Sequence, residues 1–325
     1  MRWTWTKHVT PARTTGLVPR LRLGLAMAIF SLLPVTGPAG ADCIAVVPAG
    51  WDHFFWRAVV RGAERAGNEL GLEVRRKAPA NEVHQGFQAG IMDRFAAQGC
   101  LGFVVAPQND LLDDVVARQA RAGRPTVYVD RDTDGEHEAI SVIATDNYAA
   151  GRLAARAVAE RLPEAARIGL LRMHKGVRST DAREMGFEDE IRALGYNLDL
   201  DELIGATGAQ ARLRMQVLAD RVRWLDGVFT PNESTTSAAL FFIGGGPASE
   251  RPLHIGFDLN PELAIAILDG ELAGIILQDP IGMGYTGVMT VAARLEGREV
   301  QRRIHTSATL ITRQNVREAV QRLDI

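Results

Sequence analysis

Cysteine is nearly absent from this chain, with two residues in 325, Cys43 and Cys100. That excludes a small disulfide-stapled scaffold and any zinc site built from repeated cysteine pairs. Beyond residue 41 the histidines are His53, His84, His137, His174, His254 and His305, with no H-x-x-x-H or H-x-H spacing. A metal site is therefore not expected. There is no G-x-S-x-G elbow and no Walker phosphate loop. Gly244-Gly245-Gly246 follows an expected helix and precedes an expected strand, the wrong side for cradling phosphate, and reads as a plain loop. Also missing are a Pro/Ser-rich linker, a low-complexity tract and, past residue 41, any apolar run long enough to cross a bilayer.

Positive charge is scarce once the first 41 residues are set apart. Arg2, Lys7, Arg13, Arg20 and Arg22 form a basic region without an acid, followed by an apolar stretch over 23–35. Ala39-Gly40-Ala41 then offers a small-x-small cleavage signal. This is the pattern of a secretory signal peptide over 1–41, with cleavage expected between Ala41 and Asp42. Asp42 before Cys43 fits a lipoprotein signal poorly. The remainder holds 32 basic against 39 acidic residues, a formal charge of −7. Nucleic acid needs clustered Lys and Arg and is not an expected partner.

What the chain does have is a repeated unit, a short apolar strand that runs straight into a polar or aromatic cluster. CIAVVP precedes Trp51-Asp52-His53-Phe54-Phe55, TVYV precedes Asp130-Arg131, and GVFTP precedes Asn232-Glu233. LHIGF precedes Asp258, and AGIIL precedes Gln278-Asp279. Between these runs lie stretches with apolar residues at helical spacing, such as Phe55, Ala58, Val59, Ala63, Ala66 and Leu70. Helices are expected over 54–70, 83–97 and 111–122, and a second set of strand–helix units begins near Asp146 with helices over 148–161, 182–194, 209–221, 233–242 and 261–268. Alternating strands and helices imply βαβ units and parallel sheets. Right-handed crossovers then gather the strand carboxyl ends on one edge, where open α/β sheets bind ligands. The fold class is thus α/β, with two doubly wound parallel-sheet lobes and a polar small-molecule cleft between them.

Both cysteines stand at the start of expected strands. If those strands are parallel neighbours, the sulfurs lie side by side at the end of the sheet away from the ligand. They then form a disulfide or remain two buried thiols.

From Cys43 to about Asn315 the chain resembles the periplasmic sugar-binding proteins of the ribose-binding type, which share their fold with the ligand domains of lactose-repressor-type regulators. The motifs that carry the resemblance occur in order: Phe54-Phe55, Asp130-Arg131, I-A-T-D-N at 143–147, A-R-E-x-G-F at 182–187, V-F-x-x-N at 228–232, G-F-D at 256–258 and Gln278. A leader rather than a DNA-reading module ahead of them points to the exported branch.

The resemblance implies a ligand-binding set of Asp52, Phe54, Phe55, Asp130, Arg131, Arg183, Asn232, Asp258 and Gln278. The two phenylalanines would offer flat apolar faces to a sugar ring, although Phe55 also fits a helix core. Asp52 would accept hydroxyl hydrogens or cap the helix that follows. Asp130 and Arg131 pair an acceptor with a rigid donor fork. Arg183 would reach in from the opposite lobe. Asn232 is donor, acceptor and expected N-cap ahead of Glu233. Asp258 ends a buried strand, where a carboxylate needs hydroxyl or guanidinium partners. Gln278 would either contact ligand or serve the hinge alone.

Four departures from the ribose pattern argue against D-ribose itself. Ala106 stands where an amide is usual, His53 where proline is usual, Asp52 replaces asparagine, and 206–210 lacks the aromatic that closes the ring's far side. Trp51 or Trp56 would supply that wall. The resemblance further implies a periplasmic protein with no cofactor and no chemistry of its own, which binds a sugar or polyol and delivers it to the membrane permease of an ABC transporter. The alternative is a sensory protein that engages a chemoreceptor or sensor kinase. The first lobe is expected over 42–144 with 280–306, and the second over 145–279 with 307–325. Three chain crossings near Ala144, Asp279 and Thr306 would form the hinge.

Overall fold

The strand beginning at Cys43 is apolar on both faces, and every residue of it is buried. Strands of that kind need helices on both sides, which is the arrangement of parallel α/β sheets. A computed structural model describes residues 42–82, 86–245 and 247–325. The expected leader and its cleavage point lie outside the described residues.

The first set of units runs β1 (Cys43–Val47), α1 (Phe54–Leu70), β2 (Glu73–Arg76), α2 (Phe87–Ala97), β3 (Gly102–Val105), α3 (Asp113–Arg121), β4 (Thr126–Val129) and β5 (Ser141–Thr145). The second runs α4 (Asn147–Ala159), β6 (Ile168–Arg172), α5 (Arg178–Ala193), β7 (Leu198–Leu203), α6 (Gly208–Arg223), β8 (Gly227–Phe229), α7 (Glu233–Ile243), β9 (Leu253–Phe257), α8 (Pro261–Asp269) and β10 (Gly274–Leu277). The chain then returns through α9 (Pro280–Leu295), β11 (Arg303–Thr306), β12 (Thr309–Ile311) and α10 (Val316–Leu323).

Two six-stranded sheets result, in the orders β11-β5-β4-β3-β1-β2 and β12-β10-β9-β8-β6-β7. All pairings are parallel except that of β12 with β10. The chain passes between the sheets after β5, after β10 and after β11, which makes three crossings. Alternate residues of one strand serve opposite faces. Ile44 and Val46 pack with α1 and α9, whereas Ala45 and Val47 face α2 and α3. In the second lobe, Leu170, Phe229 and Phe257 pack under α4 and α5, while Leu171 and Val228 face α6 and α7.

Element boundaries follow local chemistry. Asn260 caps α8 by accepting from Leu263 N, with Pro261 as its first residue. Asn232 and Thr235 form a reciprocal capping box that starts α7. Three expectations are corrected. The helix expected over 83–97 starts at Phe87, because Gly86 adopts φ 88°, a left-handed conformation that no helix continues through; residues 83–85 lie outside the described residues. The helix expected from residue 182 starts at Arg178, one turn earlier. The helix expected from 111 begins as a 3₁₀ turn over Asp110–Leu112, set by the Asn109 side chain accepting from Leu111 N.

Helix pairs flank each sheet at very short range. A β-carbon on Gly284 of α9 would lie 1.8 Å from the Val59 carbonyl oxygen of α1, and one on Gly151 of α4 would lie 2.0 Å from that of Arg183 on α5. Cys43 and Cys100 are joined in a disulfide at the amino end of β1, where Leu101 N donates to Cys43 O.

Candidate functional site

The carboxyl ends of β1, β4, β6, β8, β9 and β10 face one another across the two sheets. Asp130 and Asp258 hold corresponding places, one directly after β4 and one directly after β9. Both adopt positive φ, 68° and 65°. Aspartate tolerates that region better than most residues, and strained backbone of this kind gathers at functional sites. Asp130 thereby faces Arg183 of the other lobe, and both carboxylates line one cavity.

Phe55, Asp130, Arg131, Arg183, Asn232, Asp258 and Gln278 line one cavity. With the side chains as they stand, the cavity volume is about 20 Å³, room for roughly one water. The polar groups fill much of it by pairing with each other. Arg131 Nε donates to Asp130 Oδ2 at 3.0 Å and its Nη2 to Glu82 Oε2 at 2.9 Å. Gln278 Nε2 donates to Asp258 Oδ1 at 2.9 Å. Arg183 is tethered through Nε to Asn147 Oδ1 at 2.7 Å and through Nη1 to the Pro231 carbonyl at 3.0 Å, with its guanidinium 3.9 Å above the Phe257 ring. That leaves its Nη2 facing Asp130 Oδ1 at 3.8 Å, too far for a hydrogen bond.

The burial of these charges shows in their protonation. Burial pushes the Asp258 carboxyl up to about 6, against the opposing pull of Arg183 and of the Gln278 hydrogen bond. Burial also lowers Arg183, with Asp258 and Asp130 working the other way. Arg131 is raised instead, because Glu82 and Asp130 outweigh its desolvation.

Unused bonding capacity points into the cavity. Gln278 Oε1 is buried and accepts no hydrogen bond. Asn232 Oδ1 is occupied by capping α7, while Nδ2 has only the weak acceptor Met173 Sδ, at 3.3 Å. Acceptors (Asp130, Asp258, Gln278 Oε1) and donors (Arg131, Arg183, Asn232) thus share the lining with the aromatic rings of Phe55 and Trp56. Such a lining suits adjacent hydroxyls on a small carbon ring or chain.

Two expected members are not brought in. The Asp52 side chain is 36% exposed, and the nearest charged group, His53 Nε2, is 3.8 Å from it. It does not cap α1 either, since the N-cap is His53 and makes no side-chain capping bond. Phe54 turns away, beneath the Arg57 guanidinium, and lines a neighbouring crevice with Leu259 and Leu277. Trp56, one of the two candidates for the missing aromatic wall, lines the cavity, whereas Trp51 is surface-exposed. The cavity also contains His53, Glu82, Met173, Ser179 and Thr180. Ser179 and Thr180 escaped the sequence reading because the helix carrying them starts earlier than its apolar spacing indicates. Glu82 escaped it because it stands several residues beyond Arg76, where β2 ends, whereas Asp130 and Asp258 directly follow their strands.

Known proteins resemble this chain along most of its length. The periplasmic binding protein domain family matches residues 44–299. The ribose import binding protein of Escherichia coli (strain K12) is 26% identical over 284 residues, 84% of this chain and 91% of that one. The periplasmic component of an ABC-type sugar transport system from Hahella chejuensis superposes with a TM-score of 0.76 at 32% identity, covering 83% of this chain and 99% of that one. A carbohydrate transporter solute-binding protein from Agrobacterium radiobacter, solved in complex with D-arabinose, gives 0.78 at 25% identity, with 86% and 97% covered. The chain therefore belongs to the periplasmic binding protein family, as a ribose-binding-type member of the sugar-binding solute-binding proteins of ABC transporters.

Proposed function

We propose that this chain captures a single sugar or polyol in the periplasm and hands it to an ABC-type permease, without chemistry of its own. The observation that carries the reading is the convergence of Asp130 and Arg131 from one lobe with Arg183, Asp258 and Gln278 from the other on one cavity. In this reading the lobes are 42–144 with 280–306, and 145–279 with 307–325, and they hinge at the three crossings. Ligand hydroxyls replace the internal pairs: one set takes over the Arg131–Asp130 contact and another bridges Asp258, Gln278 and Arg183. Because contacts to both lobes exist only when the lobes meet, the ligand favours the closed form by that difference in free energy. Charge-assisted hydrogen bonds contribute about 1.5–3 kcal/mol each. A handful of them, less the cost of ordering, reaches micromolar binding or tighter. Ala106 and the missing aromatic over 206–210 turn the reading away from D-ribose, toward another pentose, a hexose or a polyol.

The experiment is a thermal-shift screen of the 42–325 chain against pentoses, hexoses, polyols and nucleosides. A ligand bound only to the native state raises Tm by mass action. A shift with one sugar or polyol supports the reading. No shift with any compound, in protein shown by mass spectrometry to carry no bound solute, refutes it.

A further inference from the structure

Glu82 lies on the segment between β2 and α2, outside every motif that carries the family resemblance. Its side chain is 8% exposed, and three groups from two other segments converge on it. Trp56 Nε1 donates to Oε1 at 2.8 Å, Arg131 Nη2 donates to Oε2 at 2.9 Å, and His53 Nδ1 stands 3.3 Å from Oε1. Glu82 and all three partners line the cavity. Arg131 has two side-chain anchors, Asp130 and Glu82. A ligand hydroxyl competes for Asp130, so Glu82 is the anchor that remains once the site is filled.

We propose that Glu82 is a positioning residue of the sugar site, holding Arg131 and His53 in place as donors to the ligand. This rests on the sugar-binding reading of the cavity. The electrostatics agree with the geometry. Burial alone would lower the His53 imidazole, but the bond to Glu82 and the charges of Glu82, Glu233 and Asp52 raise it to about 9. Arg131 faces the same carboxylate, and His174, from the turn before α5, is near enough to feel both Glu82 and Arg131. With His53 protonated, the three acids of the lining, Glu82, Asp130 and Asp258, stand against three bases, His53, Arg131 and Arg183. The lining is therefore balanced for an uncharged ligand.

The test is Glu82→Gln, which keeps the shape and removes the charge, read in two ways. In histidine-labelled protein, with the His53 resonance assigned by its loss in His53→Asn, wild-type His53 titrates near 9 by NMR, and in the variant its pKa falls below the ordinary histidine value. By calorimetry with D-ribose and D-arabinose, the variant binds whichever sugar the wild type accepts at least about tenfold more weakly. An unchanged His53 titration in the variant, or an unchanged affinity, overturns the proposal. If the wild type binds neither sugar, the choice of probe or the sugar reading has failed, and the titration decides for or against Glu82 by itself.

Discussion

Gly151 and Gly90 are both helical glycines, and the same substitution to alanine at each is expected to act with opposite sign. On Gly151 the new β-carbon would lie 2.0 Å from the Arg183 carbonyl oxygen and 2.8 Å from Phe187 N, both backbone atoms of α5. An ordinary carbon–oxygen contact is about 3.3 Å, so α4 and α5 must part by roughly 1.3 Å. Overpacking of this kind costs about 1–3 kcal/mol. Rigid backbone on the far side puts it at the upper end, and the gain of about 1 kcal/mol in helix propensity offsets only part. A net loss of about 2 kcal/mol is expected. At Gly90 of α2 nothing lies within 4 Å of the added carbon. There the propensity term acts alone and stabilises by about 0.5–1 kcal/mol. Because α5 carries Arg183, Gly151→Ala also moves a cavity-lining guanidinium by about an ångström and should weaken ligand binding, whereas Gly90→Ala should leave it alone. Urea denaturation of the three proteins, with a binding isotherm for each, checks both claims. A Gly151→Ala protein as stable as wild type and binding equally well would refute the argument, and so would a destabilised Gly90→Ala.

The other expectations concern charges and the cross-link. Asp258 has a folded-state carboxyl raised to about 6, against an unfolded value of about 3.9. Its contribution is therefore a penalty of about 3 kcal/mol above pH 6, relieved as the pH falls from 6 toward 4. Asp258→Asn should accordingly raise stability at pH 7 in a denaturation experiment while abolishing ligand binding; a less stable variant would contradict the assigned penalty. Arg131→Ala leaves Glu82 and Asp130 buried without their shared cation, and should cost about 3–5 kcal/mol in chemical denaturation as well as binding. Reduction of the Cys43–Cys100 disulfide, whose cysteines are 57 residues apart, should destabilise by about 4 kcal/mol in the chain-entropy picture, seen as a lower Tm with ligand affinity unchanged. A fall in affinity would mean that the amino end of the sheet is coupled to the site.

Much of this architecture is legible in the amino-acid sequence because its strands are buried on both faces. IAVV, GFVV and LHIGF stand out as short β-rich runs bounded by turn residues, and the last runs directly into the cavity residue Asp258. The edges are harder to read. β11 is RIHT, with both of its charged or polar outward positions facing solvent, and β12 has three residues; neither carries enough pattern to distinguish it from loop. Seven of the nine residues expected at the site gather there. The two that do not, Asp52 and Phe54, lie just before and at the start of α1, where one residue of rotation decides between cavity and surface, and no periodicity fixes that rotation. His53 takes the place of the usual proline, and its partner Glu82 is 29 positions away. Pairing across such a distance is a property of the folded chain that neither residue announces alone.

The three crossings also order events in time. β5 lacks its outer neighbour until Arg303–Thr306 pairs with it, and Val288 and Val291 of α9 cover one face of the first sheet. The lobe that begins at Cys43 is thus finished by residues made almost last. Contacts so distant along the chain form slowly. A chain emerging from the ribosome therefore cannot complete its first sheet until the residues up to Thr306 have been made.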